Sequence, residues 1–114
     1  MTCYRMNERR EHNEGHHGRQ RRGQARLLCE AIDRWGSDRQ LIKCCEEMAE
    51  LTQAICKRFD QGPGNDFDQE AVVEELADVE IMLEQLRIIM DVDPEMEARW
   101  RERKLRRLMV RLGG

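Results

Sequence analysis

Long apolar runs are missing from this chain, and so are most of the residues that build sheets. No run of apolar side chains exceeds a few residues, far short of the roughly 20 needed to span a bilayer, and the N-terminus lacks the apolar stretch of a signal peptide. Two prolines and scarce β-branched runs argue against a sheet protein. Aromatic side chains amount to two Trp, two Phe and one Tyr in 114 residues. The five cysteines, Cys3, Cys29, Cys44, Cys45 and Cys56, form an odd set with no C-x-x-C pair. Most of them sit among apolar residues at helical spacings, so reduced, buried thiols in a soluble cytoplasmic protein are expected.

What the chain does have is charge, at 38% of all residues, and it is segregated. The net charge is −3, but residues 1–22 carry six Arg against three Glu, and residues 23–98 carry seven Lys or Arg against nineteen Asp or Glu. Residues 99–114 return to basic, with seven Lys or Arg against Glu102 alone. The length suits one domain. Residues 1–22 hold only Met1, Cys3, Tyr4 and Met6 as apolar side chains, too few to offset the entropy of ordering them, so a mobile charged tail is expected there. His12, His16 and His17 lie in that tail, and its arginines have no interleaved aromatics to stack on bases. Residues 23–114 form the expected domain.

Four helices are predicted in that domain. The first, residues 24–35, places Leu27, Leu28, Ala31, Ile32 and Trp35 on one stripe and stops at Gly36. Ser37 or Asp38 can cap the second, residues 39–59, which spaces Leu41, Cys45, Met48, Thr52, Ile55 and Phe59 at threes and fours. The turn-rich stretch QGPGNDFD follows as a loop. Asp66 or Asp68 can cap the third helix, residues 69–90, with the seam Val72, Leu76, Val79, Leu83, Leu86 and Met90. Asp93 caps a fourth helix that starts with Pro94 and runs to about residue 112. The third helix carries a second stripe, Ala71, Met82 and Ile89. So wide an apolar surface predicts contact with a second subunit as well as with its own bundle.

The chemistry-bearing residues are carboxylates. The second helix contains Glu46-Glu47-Met48-Ala49-Glu50 and the third Glu74-Glu75-Leu76-Ala77-Asp78. At about 100° per residue, positions i and i+3 share a face, so Glu47 points with Glu50 and Glu75 with Asp78. Apolar neighbours continue both faces, which turns them inward. Two consecutive helices joined by a short loop run antiparallel and bring the pairs together. Four inward carboxylates repel one another and lose hydration unless a cation joins them. An all-oxygen ligand set without His or Cys favours a hard ion, Mg²⁺ or Mn²⁺. A di-iron carboxylate bundle is disfavoured because its Glu-x-x-His pairs are missing.

Glu47-x-x-Glu50 and Glu75-x-x-Asp78, separated by 24 residues, together with the Trp35-Gly36 … Gln40-Leu41 lead-in, resemble the motif of the MazG-like, all-α nucleoside triphosphate pyrophosphohydrolases. The resemblance covers about residues 24–112. It implies an all-α bundle assembled as a homodimer or tetramer, with Mg²⁺ held by Glu47, Glu50, Glu75 and Asp78. The implied reaction cleaves a nucleoside triphosphate between its α and β phosphates, giving the monophosphate and pyrophosphate. One carboxylate must orient or deprotonate the attacking water, and Glu46, Glu74 or a non-ligating oxygen of Glu47 can do so. Lys43 and Lys57 fall within two turns of Glu47 and Glu50 as phosphate ligands. Lys104 and Arg107 lie in a segment similar to the family's later Lys-aromatic-x-x-basic stretch, although Leu105 replaces the aromatic and Glu102 stands where some members have Asn.

Two other function classes follow from the same residues. A catalytically inactive helical interaction protein would use the acids only as a charged face. Nucleic-acid binding through the basic C-terminal helix is disfavoured, because those charges have an acidic partner within the chain and no base-reading motif is present.

Overall fold

The computed structural model describes residues 16–60, 62–64 and 66–113, with side chains from Arg22 onward. Among the described residues it contains four α-helices and no strand. These are α1 (His16–Trp35), α2 (Ser37–Cys56), α3 (Gln69–Ile89) and α4 (Pro94–Arg111), with a single 3₁₀ turn, Lys57–Phe59, closing α2. No helix among the described residues is long and apolar enough to cross a membrane. Helix α1 starts at His16 instead of residue 24, so the boundary expected after residue 22 falls inside a helix. Residues 1–15 of the expected tail, His12 among them, lie outside the described residues, as do the side chains of His16 and His17.

Side-chain capping fixes the starts of α3 and α4. Asp68 accepts from the Glu70 N–H at 3.0 Å, and Asp93 accepts from the Glu95 N–H at 3.0 Å with Pro94 in the first turn. Both satisfy donors that the helix itself leaves orphaned. The start of α2 differs from expectation. Gly36, not Ser37 or Asp38, occupies the N-cap, and no side chain accepts there. Gly36 sits at φ 92°, ψ 147°, a region closed to residues with a Cβ, and so joins two helices through one residue. Its N–H closes α1 onto the Ile32 carbonyl at 2.8 Å, while its own carbonyl receives the Gln40 N–H at 3.1 Å. The tight corner sets Trp35 beside the first turns of α2.

Helices α2 and α3 form the main packed pair. Contacts from Gln40 to Gln85, and from Lys57 to Asp66, run in opposite chain directions, so the pair is antiparallel. Helix α1 packs against both. The buried apolar residues are Leu28, Cys29 and Ile32 from α1, Cys44 from α2, and Val79 and Met82 from α3. Gln40, Glu47 and Gln85 are buried with them.

This core departs from the expected stripes in one systematic way. On α2 the buried positions are Gln40, Cys44 and Glu47, with Leu51 and Ala54 half-buried, whereas of the expected seam only Leu41 is half-buried and Cys45, Met48, Thr52, Ile55 and Phe59 are exposed. The helix is turned by about one residue, roughly 100°, from the apolar seam. Polar residues can take the inward positions because they are partnered there: Gln40 Nε2 donates to Gln85 Oε1 at 2.7 Å, and Glu47 accepts from Lys43. On α3, Val79 is buried and Val72, Leu83 and Leu86 are half-buried, but Leu76 and Met90 are exposed. The stripe expected to face a second subunit supplies Met82 to the core. Leu27 and Trp35 of α1 are exposed, and so are two cysteines expected to be buried, Cys45 and Cys56; Cys3 lies outside the described residues.

Helix α4 stands apart. Every described residue from Asp93 to Gly113 is exposed. It is tied to α3 at its start, where Arg87 Nε meets Glu97 Oε1 at 2.6 Å. Further along, Arg106 pairs with Glu102 at 2.7 Å, and the Arg103 guanidinium lies 4.9 Å from the Trp100 ring centre. Ala98, Leu105, Leu108 and Leu112 share one stripe at intervals of seven, three and four, all open to solvent.

Candidate metal centre

Three of the four expected ligands converge. Ligand oxygens of Glu47, Glu75 and Asp78 lie within 4.8 Å of one another, at the level where α2 and α3 cross midway along the pair. Glu75 and Asp78 share a face because they are one turn apart, and the antiparallel pairing places Glu47 opposite them. Glu47 is only 8% exposed, and Glu75 and Asp78 are half-buried. Glu50, the fourth expected ligand, is exposed at the margin, yet its charge acts on Glu75.

The electrostatics are those of an anionic cluster with one cation at its edge. Lys43 Nζ donates to Glu47 Oε1 at 3.0 Å. That bond, more than any other influence, holds the Glu47 carboxyl below the usual carboxylate value, and it raises Lys43 in turn. Glu75 is pushed the other way, first by desolvation and then by the charges of Glu50, Glu47 and Asp78. Among the described residues, Glu47 Oε2 and Glu75 Oε2 are buried with no hydrogen-bond donor. A buried acceptor without a partner is costly and rare. The donor set therefore fits a hard divalent cation: carboxylate oxygens from two helices, two of them unpartnered, and no nitrogen or sulfur ligand in the group.

The remaining expected site residues divide. Lys43 is at the cluster, as its spacing predicted. Lys57 is not, because Nζ pairs with Asp66 Oδ2 at 3.2 Å on the loop side. Glu46 and Glu74 are exposed and outside the group formed by Glu47, Glu75 and Asp78. Lys104 and Arg107 belong to the exposed α4, about two and three turns beyond its Arg87–Glu97 tie, so the chain does not bring them to its own acids. Arg107 instead lines an arginine-rich groove of about 490 Å³ with Arg103, Arg106, Val110 and Arg111.

Two features were not read from the sequence. The first is the buried Gln40–Gln85 pair, which locks α2 to α3 beside the cluster. A signal was present: Gln40 lies seven residues before Glu47 and Gln85 seven after Asp78, two turns along the same faces. The second is a cavity of about 500 Å³ at the α1–α2 corner, lined by Trp35, Arg39, Gln40, Ile42, Lys43 and Glu46. It adjoins the cluster through Lys43. Comparison with family models, curated proteins and solved structures found no match to this chain.

Proposed function

We propose that the protein is a Mg²⁺-dependent nucleoside triphosphate pyrophosphohydrolase, with Mn²⁺ as an alternative ion, as its resemblance to the MazG-like enzymes implies. The observation that carries this reading is the pair of buried, unpartnered carboxylate oxygens, Glu47 Oε2 and Glu75 Oε2, in a group with Asp78. Glu47, Glu75 and Asp78 would hold the ion, with Glu50 completing the set from the margin. When bound, such an ion neutralises phosphate charge and makes the α-phosphorus more electrophilic.

The chain's own residues supply the rest. Lys43, beside Glu47, is positioned to meet phosphate oxygens. Water adds to the α-phosphorus, the α–β bridging P–O bond breaks, and pyrophosphate leaves with the bonding electron pair. The proton lost by the water goes to a carboxylate. Glu47 is favoured over Glu46 and Glu74 for that role, because both of those are exposed and outside the cluster.

The same reading takes a second copy of the chain as partner. The apolar stripe of α4 and the exposed Met48, Ile55 and Leu76 offer apolar surface that a second copy would cover. Lys104 and Arg107 would serve as phosphate ligands only across such an assembly. Light scattering at micromolar concentration should give a dimer or larger; a strict monomer would remove this part of the proposal.

The test of the activity is incubation with a panel of nucleoside triphosphates and Mg²⁺, followed by detection of monophosphate and pyrophosphate. Glu47→Gln should abolish turnover while the helical circular dichroism is kept. A second reading, a helical interaction protein without catalysis, is favoured by the fully exposed basic helix α4. Absence of turnover with every triphosphate, under Mn²⁺ as well as Mg²⁺, would select it.

A further inference from the structure

Helix α4 has one face that neither the acid cluster nor the packed helix pair uses. At about 100° per residue, Arg99, Arg103, Arg106 and Arg107 share the side opposite the apolar stripe of Ala98, Leu105, Leu108 and Leu112. Arg103, Arg106, Arg107 and Arg111 surround Val110 in an open groove of about 490 Å³ whose lining holds no carboxylate. Arg106 also pairs with Glu102; among the described residues the other three groove arginines have no ion-pair partner. Trp100 lies one turn before Arg103 on that side, 49% exposed, with the Arg103 guanidinium 4.9 Å from its ring centre.

Two grounds in the sequence speak against nucleic acid at this helix: an acidic partner within the chain and the lack of a base-reading motif. The fold takes away the first, because α4 stands apart and its arginines do not reach the acids of α2 and α3. The second bears only on sequence-selective binding. Sequence-tolerant binding of a single strand needs a cationic groove for the backbone and an aromatic ring for the bases, and α4 holds the two side by side. We propose that this face of α4 binds single-stranded nucleic acid without regard to sequence, its arginines on phosphates and Trp100 stacked on a base. The groove arginines extend over about 12 Å of helix axis, so they meet successive phosphates of one strand instead of an isolated phosphate group. The chain's net charge is −3, so a polyanion is held by a local cationic face or not at all. A bilayer surface fits less well. Arg101, one turn before Leu105 and two before Leu108, falls within the apolar stripe, which a helix lying in the interface keeps free of charge. A second copy seated on that stripe leaves the basic face outside. None of this depends on the hydrolase reading, and Lys104 and Arg107, which that reading gives to the triphosphate, stay unchanged in the test.

The experiment titrates the full chain into a fluorescently labelled, mixed-sequence single strand of about 15 nucleotides with a 5′-hydroxyl end, followed by anisotropy. EDTA is present, so binding does not run through a cation at the acid cluster. Four phosphate contacts should give log K a slope of about −2.8 against log salt, or about fiftyfold weaker binding at 200 mM than at 50 mM. Arg103→Gln with Arg111→Gln removes two of them and should halve the slope to about −1.4. The helical circular dichroism should be kept, because glutamine is close to arginine in helix propensity. Trp100→Ala should weaken binding about tenfold and leave the slope unchanged. Arg58→Gln, which removes an exposed cation outside α4, should alter neither. No binding at the lower salt, or equal slopes in the wild type and the double variant, overturns the proposal. Trp100→Ala binding as tightly as the wild type, or a duplex bound more tightly than the strand, overturns it as well. Capture of the chain by anionic lipid vesicles without binding of the strand would do the same and assign α4 to a membrane surface. Triphosphate cleavage with no binding of the strand would leave the hydrolase reading standing and remove this surface. Binding of the strand with no cleavage of any triphosphate would do the reverse.

Discussion

Asp78→Asn separates a metal centre from a chance cluster of acids, because it should act on stability in opposite directions with and without a cation. In the metal-free chain Asp78 shares a space of 4.8 Å with two other carboxylates. Two like charges at that separation repel by about 3.5 kcal/mol at an effective dielectric of 20 and by about 0.9 kcal/mol in bulk water. Asp78 is half-buried, so screening by solvent places its repulsion with Glu47 near the lower figure, about 1 kcal/mol. Asparagine keeps the shape and removes the charge. For a domain of this size about 1 kcal/mol corresponds to roughly 4–8 °C. The metal-free variant should therefore melt several degrees above the wild type in EDTA at pH 7. Mg²⁺ should then stabilise the wild type by mass action, by about 1.4 kcal/mol at ten times its dissociation constant. The variant, one ligand short, should respond far less, so that the order of the two melting curves narrows or inverts as Mg²⁺ rises. Glu80→Gln, an exposed change on the same helix, is the control and should alter neither measurement. The reasoning fails if Asp78→Asn melts at or below the wild type in EDTA, or if Mg²⁺ shifts both proteins equally.

Three further outcomes follow from particular contacts. Gly36→Ala should lower stability by about 1–3 kcal/mol, since nothing crowds the new Cβ and the whole cost is the backbone at φ 92°; thermal melts followed by circular dichroism measure it, and an unchanged midpoint refutes the corner geometry. In the native protein Cys45 and Cys56 should react with iodoacetamide at neutral pH while Cys44 does not, because burial both shields the Cys44 thiol and pushes its ionisation upward. Mass spectrometry reads the order, and early labelling of Cys44 contradicts the assigned face of α2. Arg87→Ala should change global stability by no more than about 1 kcal/mol, as expected of a half-exposed ion pair, yet speed hydrogen exchange at the start of α4. Equal exchange in both proteins would mean that the Arg87–Glu97 pair does not hold that helix.

Much of the local structure was legible because it depends on neighbours in sequence. Asp68 and Asp93 cap helices for reasons contained in the few residues around them, and the turn residues between residues 60 and 68 separate α2 from α3. The sequence places the break at Gly36 but offers Ser37 or Asp38 as the cap of α2, because a glycine N-cap carries no side-chain signal, only a backbone angle. The Lys43–Glu47 contact was within reach of spacing alone, being an i, i+4 pair. Lys57 was not, because its partner Asp66 lies across a turn whose path periodicity does not describe.

The sequence by itself determined that this chain is helical, where its helices break, and that Glu75 and Asp78 share one face while Glu47 and Glu50 share another. Those properties follow from a rise and rotation per residue that every α-helix has. Only the tertiary structure decided which faces turn inward. Periodicity favoured the stripe of Met48 and Ile55, but packing put Gln40, Cys44 and Glu47 inside, where Gln85 accepts from Gln40 and Lys43 donates to one of the two Glu47 oxygens, leaving the other for the acid cluster. The same choice drew Glu47 into the group with Glu75 and Asp78, left Glu50 at its rim, and kept the basic residues of α4 away from the acids they complement in charge. Spacing along one helix can pair side chains with their neighbours; which helix they meet depends on contacts that no single period encodes.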